Sequence, residues 1–152
     1  MRKRTRSREF ALQLLYRLDL NRDDIEEVFE DFWKDRTDLA LSSKEKEVIE
    51  SDKKDPDIRL FAERLVRGAY ERLEQIDKTI ERYAENWEMN RMACVDRNIL
   101  RLSTYEICHL EDIPVKVAIN EAVELAKRYG EPDSSKFVNG ILDKIAKNEC
   151  KK

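Results

Sequence analysis

Apolar residues recur along most of this chain at intervals of three and four residues, the spacing that places them on one face of a helix. The first such stripe predicts a helix over about residues 7–20 and consists of Ala11, Leu14, Leu15 and Leu18. The second stripe consists of Ile25, Val28, Phe29, Phe32 and Trp33. No stretch of useful strand length alternates apolar with polar residues, so the pattern predicts an all-α fold.

Turn and capping residues divide the rest of the chain into further predicted helices. Asp55 followed by Pro56 is typical of a helix start, and the apolar pattern beyond it continues to about residue 84 or breaks near Gln75. Three more helices are predicted over residues 91–107, 114–130 and 134–147. The almost wholly polar segment 42–55 is predicted to be a mobile connection, with or without one helical turn. The overall prediction is a helical bundle of about six or seven helices.

The composition supports this fold class and adds a charge asymmetry. Hydrophobic residues make up 41% of the 152 residues, enough for a single domain with a buried core, and charged residues make up another 41%. Five of the first eight residues are basic, although the whole chain has a formal net charge of −3. The remaining 144 residues therefore carry −8 and would repel a polyanion, so the basic start indicates a local binding device.

Residues that could support catalysis or metal binding are few. His109 is the only histidine, the three cysteines form no CxxC pair, and no glycine-rich loop could hold a nucleotide. We therefore predict a protein that is not an enzyme, with no metal site and no cofactor. The odd number of cysteines and the lack of a membrane-length apolar run or signal peptide indicate a cytoplasmic protein that does not enter a membrane.

The basic start is the stronger of two binding signals. Arginine and lysine side chains clustered on a flexible arm can neutralise successive phosphates of a nucleic acid. Phe10 and Tyr16 follow closely and could offer stacking faces to an unpaired strand. The alternative is a solvated terminus that binds nothing.

The second signal is the segment "YGEPDSSKFVNG" near the end of the chain. If Asp133 caps the last helix, the free N–H groups of residues 134–136 form a site for an anion. Phe137 follows on the first turn, where it either stacks on a ligand or packs in the core with Ile141 and Ile145.

Three segments of the chain resemble the NusB family of transcription antitermination factors. They are "SREFALQLLYRLDL" at residues 7–20, "DRNILRLSTYEI" at residues 96–107, and "PVKVAINEAVELAKRYGEPDSSKFVNGILDKI" at residues 114–145. The resemblance implies one NusB-like RNA-binding domain over residues 1–152, built from two small helical subdomains of about residues 1–80 and 81–152. It also implies binding to the boxA element of ribosomal RNA transcripts together with NusE, a ribosomal protein, within the antitermination complex of RNA polymerase.

Together with the sequence pattern, the resemblance places the binding residues. The expected contacts to single-stranded boxA RNA are Arg2, Lys3, Arg4, Arg6, Arg8, Tyr16, Asp133, Ser135, Lys136 and Phe137. The expected NusE-binding residues lie on a charged outer face of the helix at 91–107 and are Asp96, Arg97, Arg101 and Glu106.

Two other functions stay open at this point. A NusB-like domain also precedes the catalytic domain of some ribosomal RNA cytosine methyltransferases, but such an enzyme needs a further α/β domain, for which 152 residues leave no room. The other alternative is a helical adaptor that binds proteins and no RNA. The sequence also leaves open whether the free protein forms a homodimer.

Overall fold

The computed structural model describes residues 2–21, 24–34 and 42–150. These residues form eight α-helices and one short 3-10 helix, Met89–Arg91, and contain no strand. The α-helices are α1 (Arg2–Asn21), α2 (Ile25–Lys34), α3 (Ser43–Lys54), α4 (Pro56–Glu71), α5 (Leu73–Tyr83), α6 (Cys94–His109), α7 (Val115–Tyr129) and α8 (Ser134–Glu149). The predicted all-α fold class is confirmed, with a higher number of helices than expected.

One additional helix arises from a break in the long predicted helix. Arg72 has non-helical dihedral angles, φ −111° and ψ 22°, and it separates α4 from α5. The break lies close to Gln75, where the sequence pattern allowed either a break or a continuous helix.

The other additional helix is α3, which replaces the predicted mobile connection. It begins after Ser42, whose hydroxyl accepts a hydrogen bond from the Glu45 N–H at 3.2 Å. The residues that α3 buries are Asp52 and Lys53 rather than apolar side chains. The prediction of a mobile segment was wrong because apolar periodicity cannot detect a helix that docks through charged groups.

The chain divides into two compact units, residues 1–64 and 65–152. The sequence placed the boundary between its two expected subdomains near residue 80, and that functional subdivision stays a prediction.

Unit 1 is built around an aromatic core between α1 and α2. Phe10 contacts both Phe32 and Trp33 edge to face, with ring centroids 5.6 Å apart in each pair. The first turn of α4 joins this core, since the Ile58 carbonyl accepts a hydrogen bond from the Ser7 hydroxyl at 2.8 Å. Phe10 is therefore a core residue, about 1% exposed, and cannot offer the stacking face expected from the sequence.

Unit 2 is organised around α6, which packs against α5, α7 and α8. Every residue from Asn98 to Ile107 is buried, so α6 has no solvated face along its middle. Gly68 of α4 allows the Tyr105 ring to lie against that helix, because a Cβ at Gly68 would be 1.9 Å from Tyr105 Cζ. The core side chains of the other helices include Ile76, Ile80, Ala118, Ala122, Val138 and Leu142.

Candidate functional site

The basic residues at the start of the chain lie on the first two turns of α1 and not on a flexible arm. We call Arg2, Lys3, Arg4, Arg6 and Arg8 the basic cluster. α1 begins at Arg2, five residues earlier than predicted. The helix extends this far because carboxylates at the end of α3 and in the first turn of α4 pair with the cations, an arrangement that sequence periodicity does not show.

Asp52 at the end of α3 is the main partner of the basic cluster. Its two oxygens accept hydrogen bonds from Arg2 NH1 and NH2 at 3.0 and 3.1 Å, and Oδ2 also accepts from Arg6 Nε at 2.8 Å. Asp52 is only 4% exposed. Burial by itself raises the pKa of this carboxyl, but the hydrogen bonds and positive charges of Arg2 and Arg6 outweigh burial, so the pKa lies below its ordinary value.

Acidification should remove the stabilising effect of Asp52. Its pKa in the folded protein lies below the ordinary value of 3.8, so the ionised carboxylate stabilises the fold at pH values above that ordinary value. The contribution is lost as the pH falls through the folded-state pKa. Urea denaturation of the wild type and of Asp52→Asn should give a difference in unfolding free energy that is constant from about pH 7 to about pH 5 and shrinks below about pH 4. A difference that persists unchanged to about pH 2 would contradict the ion-pair assignment.

The other members of the basic cluster differ in accessibility. Lys3 Nζ lies 3.0 Å from Asp55 and 3.5 Å from Asp57. The Arg4 guanidinium lies 3.8 Å from the centroid of the Phe61 ring. Arg8 is 2% exposed, and its guanidinium lies 5.4 Å from the same ring. The expectation that Arg8 contacts RNA directly is therefore contradicted by its burial.

A basic groove of about 430 Å³ lies where α1 begins beside α4. Its lining residues are Lys3, Arg4, Asp57, Leu60, Phe61 and Arg64. Leu60 is 68% exposed and gives the groove an apolar edge among cations. Tyr16 is 38% exposed but lies about 18 Å further along α1 than Arg4, so it is not part of this groove.

The start of α8 differs from the prediction in its capping. Asp133 occupies the N-cap position, but its side chain makes no capping hydrogen bond, and its dihedral angles (φ −94°, ψ −2°) are not the extended ones that such a bond requires. The hydroxyl of the buried Ser134 instead accepts from the Glu131 N–H at 2.9 Å. Gly130 permits this turn, because a Cβ there would lie 2.6 Å from Ser134. The predicted Asp133 cap was wrong, and the carboxylate is exposed.

An aromatic groove of about 250 Å³ lies beside this turn. We call it the Trp87 groove, and its lining residues are Trp87, Arg91, Met92, Ala93, Asp96, Glu131, Asp133, Ser134 and Phe137. The rings of Trp87 and Phe137 meet edge to face with centroids 5.8 Å apart. Phe137 is partly exposed, whereas Ile141 and Ile145 are buried, so Phe137 lies at the edge of the core rather than within it.

Trp87 is the main residue that sequence reasoning missed. It follows Asn86, whose φ of 66° lies in the left-handed region that asparagine tolerates, and this conformation turns the chain after α5. Trp87 is 47% exposed. A tryptophan inside the polar segment "AENWEMN" was a usable signal, since tryptophan is enriched among the residues that carry most of the binding energy at interfaces.

The Trp87 groove brings together residues that the sequence had assigned to two different surfaces. Asp133 and Phe137 were expected to contact RNA, and Asp96 was expected to contact a protein. Asp96 Oδ1 is buried and has no hydrogen-bond partner among the described residues. Ser135 is partly exposed and Lys136 is exposed on the first turn of α8, but neither side chain lines the groove.

The predicted charged outer face of α6 is only partly present. Arg101 is 7% exposed and donates to both oxygens of Asp77, from Nε at 2.8 Å and from NH2 at 2.9 Å. Glu106 is 1% exposed. The expectation of an outer face was wrong for these two residues because α6 is surrounded by other helices of unit 2. Asp96 and Arg97 are half-buried, and Arg97 donates to the Met89 carbonyl at 3.0 Å.

Other kinds of site find little support in the part of the chain that the structure describes. His109 stacks on Tyr105 with ring centroids 5.6 Å apart, and burial together with the charge of Arg72 lowers its pKa. Residues 2–21, 24–34 and 42–150 contain no group of three or more histidine, cysteine or acidic side chains that could hold a metal ion. Among these residues, no helix has the length and apolar character needed to cross a membrane.

Comparison with known proteins then identifies the family. The model of the NusB family matches residues 5–147. The chain belongs to the NusB family. The transcription antitermination protein NusB of Anaeromyxobacter sp. (strain Fw109-5) is 47% identical over 144 residues, which covers 95% of this chain and 90% of that relative. The predicted resemblance to NusB proteins is confirmed.

Solved NusB structures are similar to this chain over nearly all of its length. A structure of T. maritima NusB is 42% identical and superimposes with a TM-score of 0.74, covering 97% of this chain and 92% of the other. A structure of the antitermination factors NusB and NusE in complex with dsRNA is 31% identical, with a TM-score of 0.78 and coverage of 97% and 98%.

Proposed function

We propose that this protein is a transcription antitermination factor that binds boxA RNA of nascent ribosomal RNA transcripts together with NusE. It would act in the cytoplasm, within the antitermination complex of RNA polymerase. The observation that carries the proposal is the similarity, over 97% of this chain, to a NusB that was solved with NusE and RNA. The curated relative from Anaeromyxobacter is also named a transcription antitermination protein.

Two surfaces of the molecule support RNA as the ligand. The first is the exposed part of the basic cluster, Arg2, Lys3 and Arg4, with the basic groove beside it. Cations at this density suit the phosphate backbone. The second is the Trp87 groove, in which two aromatic rings and the exposed Arg91 lie together. We assign Lys136 and Ser135 to the margin of this second surface and leave Tyr16 as a separate candidate on α1.

The aromatic groove favours an unpaired strand over a duplex. A base stacks on tryptophan or phenylalanine only when its own face is free, which a paired helix does not allow except at its ends. The 47% exposure of Trp87 leaves ring area available for such a contact. We therefore propose single-stranded boxA RNA as the ligand of this chain, although the RNA in the similar NusB–NusE structure is described as double-stranded.

The surface for NusE is assigned to the half-buried start of α6. Asp96 and Arg97 are the two members of the predicted partner face that keep some exposure. The net charge of −8 outside the first eight residues also suits a basic ribosomal protein, since complementary charge speeds and orients association.

A binding titration with labelled RNA tests the proposal. The RNAs are single-stranded boxA, a scrambled strand of equal composition, and a boxA duplex, each measured with and without NusE. The single strand of boxA should bind most tightly. NusE should strengthen RNA binding, and RNA should strengthen NusE binding by the same factor, because the two couplings are thermodynamically linked. Equal affinity for boxA and the scrambled strand, both with and without NusE, would overturn the proposal.

A further inference from the structure

Most of the basic cluster is already bound to carboxylates of the same unit. Arg2 donates to Asp52 through NH1 and NH2 together, which occupies one of the two guanidinium edges that can bind a phosphate or carboxylate in bidentate fashion. Arg6 uses Nε for the same carboxylate. Lys3 is held between Asp55 and Asp57. Among the described residues, Arg4 has a ring contact with Phe61 but no carboxylate partner.

We call Asp52, Asp55 and Asp57 the acidic clamp. All three lie at the end of α3 or the start of α4. They differ in burial: Asp52 is 4% exposed, whereas Asp57 has a side chain that is 80% exposed. Asp52 cannot simply turn into solvent, so its hold on Arg2 and Arg6 is the firmest of these contacts.

A phosphate and a clamp carboxylate compete for the same donors. The planar carboxylate and the tetrahedral phosphate can each accept hydrogen bonds from two N–H groups on one edge of a guanidinium. One edge cannot donate both of its hydrogen bonds to the two groups at the same time. RNA can therefore use the donors that Arg2 and Arg6 give to Asp52 only by displacing this carboxylate. The positive charge counted from the first eight residues overstates the attraction that the folded protein offers to a polyanion.

We propose that the acidic clamp is an internal competitor of RNA phosphate, which holds Arg2, Lys3 and Arg6 back from indiscriminate polyanion binding. This inference rests on the proposed RNA-binding function and adds a regulatory contact to it. Attraction to phosphate does not depend on sequence. Weakening it raises the share of affinity that comes from contacts to the bases themselves, and so favours the correct RNA over others.

The test is a salt titration of RNA binding by full-length Asp52→Asn. Scrambled single-stranded RNA is the main probe because its binding does not include contacts specific to the boxA sequence. Its affinity at low salt should rise roughly two- to tenfold over the wild type. The log–log salt slope should also become steeper by about 0.7 for each phosphate newly contacted. A variant that merely loosens the fold would not steepen the slope.

Glu30→Gln is the matched control. It removes one negative charge from the same unit, but the partner of Glu30 is Lys34 on α2, at 2.7 Å, and not a member of the basic cluster. Its RNA affinity and salt slope should stay at the wild-type values. An equal rise in both variants would show a general effect of net charge and would overturn the clamp.

A thermodynamic cycle isolates the competition. Arg2→Gln should lower RNA affinity by a smaller factor in the wild type, where Asp52 occupies donors of Arg2, than in the Asp52→Asn background. If Asp52→Asn does not fold, Asp55→Asn takes its place. It releases Lys3, and its amide oxygen can still accept from the Asp57 N–H, which lies 2.9 Å from Asp55 Oδ1.

The outcomes separate the clamp from the function on which it rests. A wild type that binds boxA and scrambled RNA equally, with and without NusE, rejects the proposed function. A wild type that prefers boxA, combined with clamp variants of unchanged or weaker affinity and unchanged slope, rejects the clamp alone. In that case Asp52 holds the arginines in place for RNA rather than withholding them.

Discussion

Arg101→Glu should lower the free energy of unfolding by about 3–5 kcal/mol. Arg101 is 7% exposed and binds Asp77 through two hydrogen bonds, while its NH1 donates to Asn98 Oδ1 at 3.1 Å. The substitution removes all three donors and places a second carboxylate against Asp77 in a poorly solvated position. Urea denaturation monitored by circular dichroism measures this decrease in the free energy of unfolding.

Lys78→Glu is the control for this charge reversal. Lys78 follows Asp77 directly on α5, but its side chain is 71% exposed and pairs with Glu74, at 3.1 Å. Reversal there should change stability by less than about 1 kcal/mol. A stable Arg101→Glu protein that has lost NusE binding would mean that Arg101 acts at the partner surface, as the sequence alone had suggested. With the geometry observed, NusE binding should fall only as far as the folded fraction falls.

Arg101 also shows why the sequence could predict the helices of unit 2 but not the surface of α6. The stripes containing Ile99 and Leu102 followed from spacing alone, and both residues are buried. Polar residues between apolar ones were assigned to solvent, which is the usual outcome. Arg101 is an exception because it pairs with Asp77, which lies 24 residues earlier in the chain on another helix. The spacing of apolar residues in one sequence gives no information about such a distant partner.

A distant charged partner also explains why α3 and the start of α1 were not predicted as helix. The sequence correctly predicted that the first eight residues are a concentrated source of positive charge. It could not predict that Asp52, separated from Arg2 by 50 positions, would order both segments as helix. Apolar burial is visible in a local pattern, whereas an ion pair across this distance is a property of the folded chain.

The sequence predicted only some of the residues that line the Trp87 groove. Phe137 and Asp133 were expected at a binding site because of their place at the start of the last helix. Trp87 and Arg91 come from the segment between α5 and α6. These two residues lie close to Phe137 because of the turn at Asn86 and the packing of α8 within unit 2. The spacing of apolar residues along the chain predicts neither feature.

Removing either ring of this groove should weaken RNA binding. Trp87→Ala and Phe137→Ala should each cost about 1–3 kcal/mol of affinity for single-stranded boxA RNA, the usual value for one base stacked on an aromatic side chain. Because Trp87 is 47% exposed, its loss should cost much less folding stability than the roughly 3–5 kcal/mol expected for a core aromatic residue. Fluorescence anisotropy with labelled RNA and thermal denaturation measure the two effects separately. Trp87→Phe should restore most of the affinity, since it keeps a stacking face.

Tyr129→Ala provides the comparison for a ring outside the groove. Tyr129 is 39% exposed at the end of α7, where the Arg128 guanidinium lies 5.6 Å from its ring centroid, and it does not line the Trp87 groove. Its removal should leave RNA affinity within about twofold of the wild type. If Phe137→Ala loses about 3–5 kcal/mol of stability while its folded fraction binds boxA RNA normally, Phe137 acts only in packing. In that event the affinity of Trp87→Ala decides whether the groove contacts RNA at all, because Trp87 has the larger exposed face and contributes less to the core.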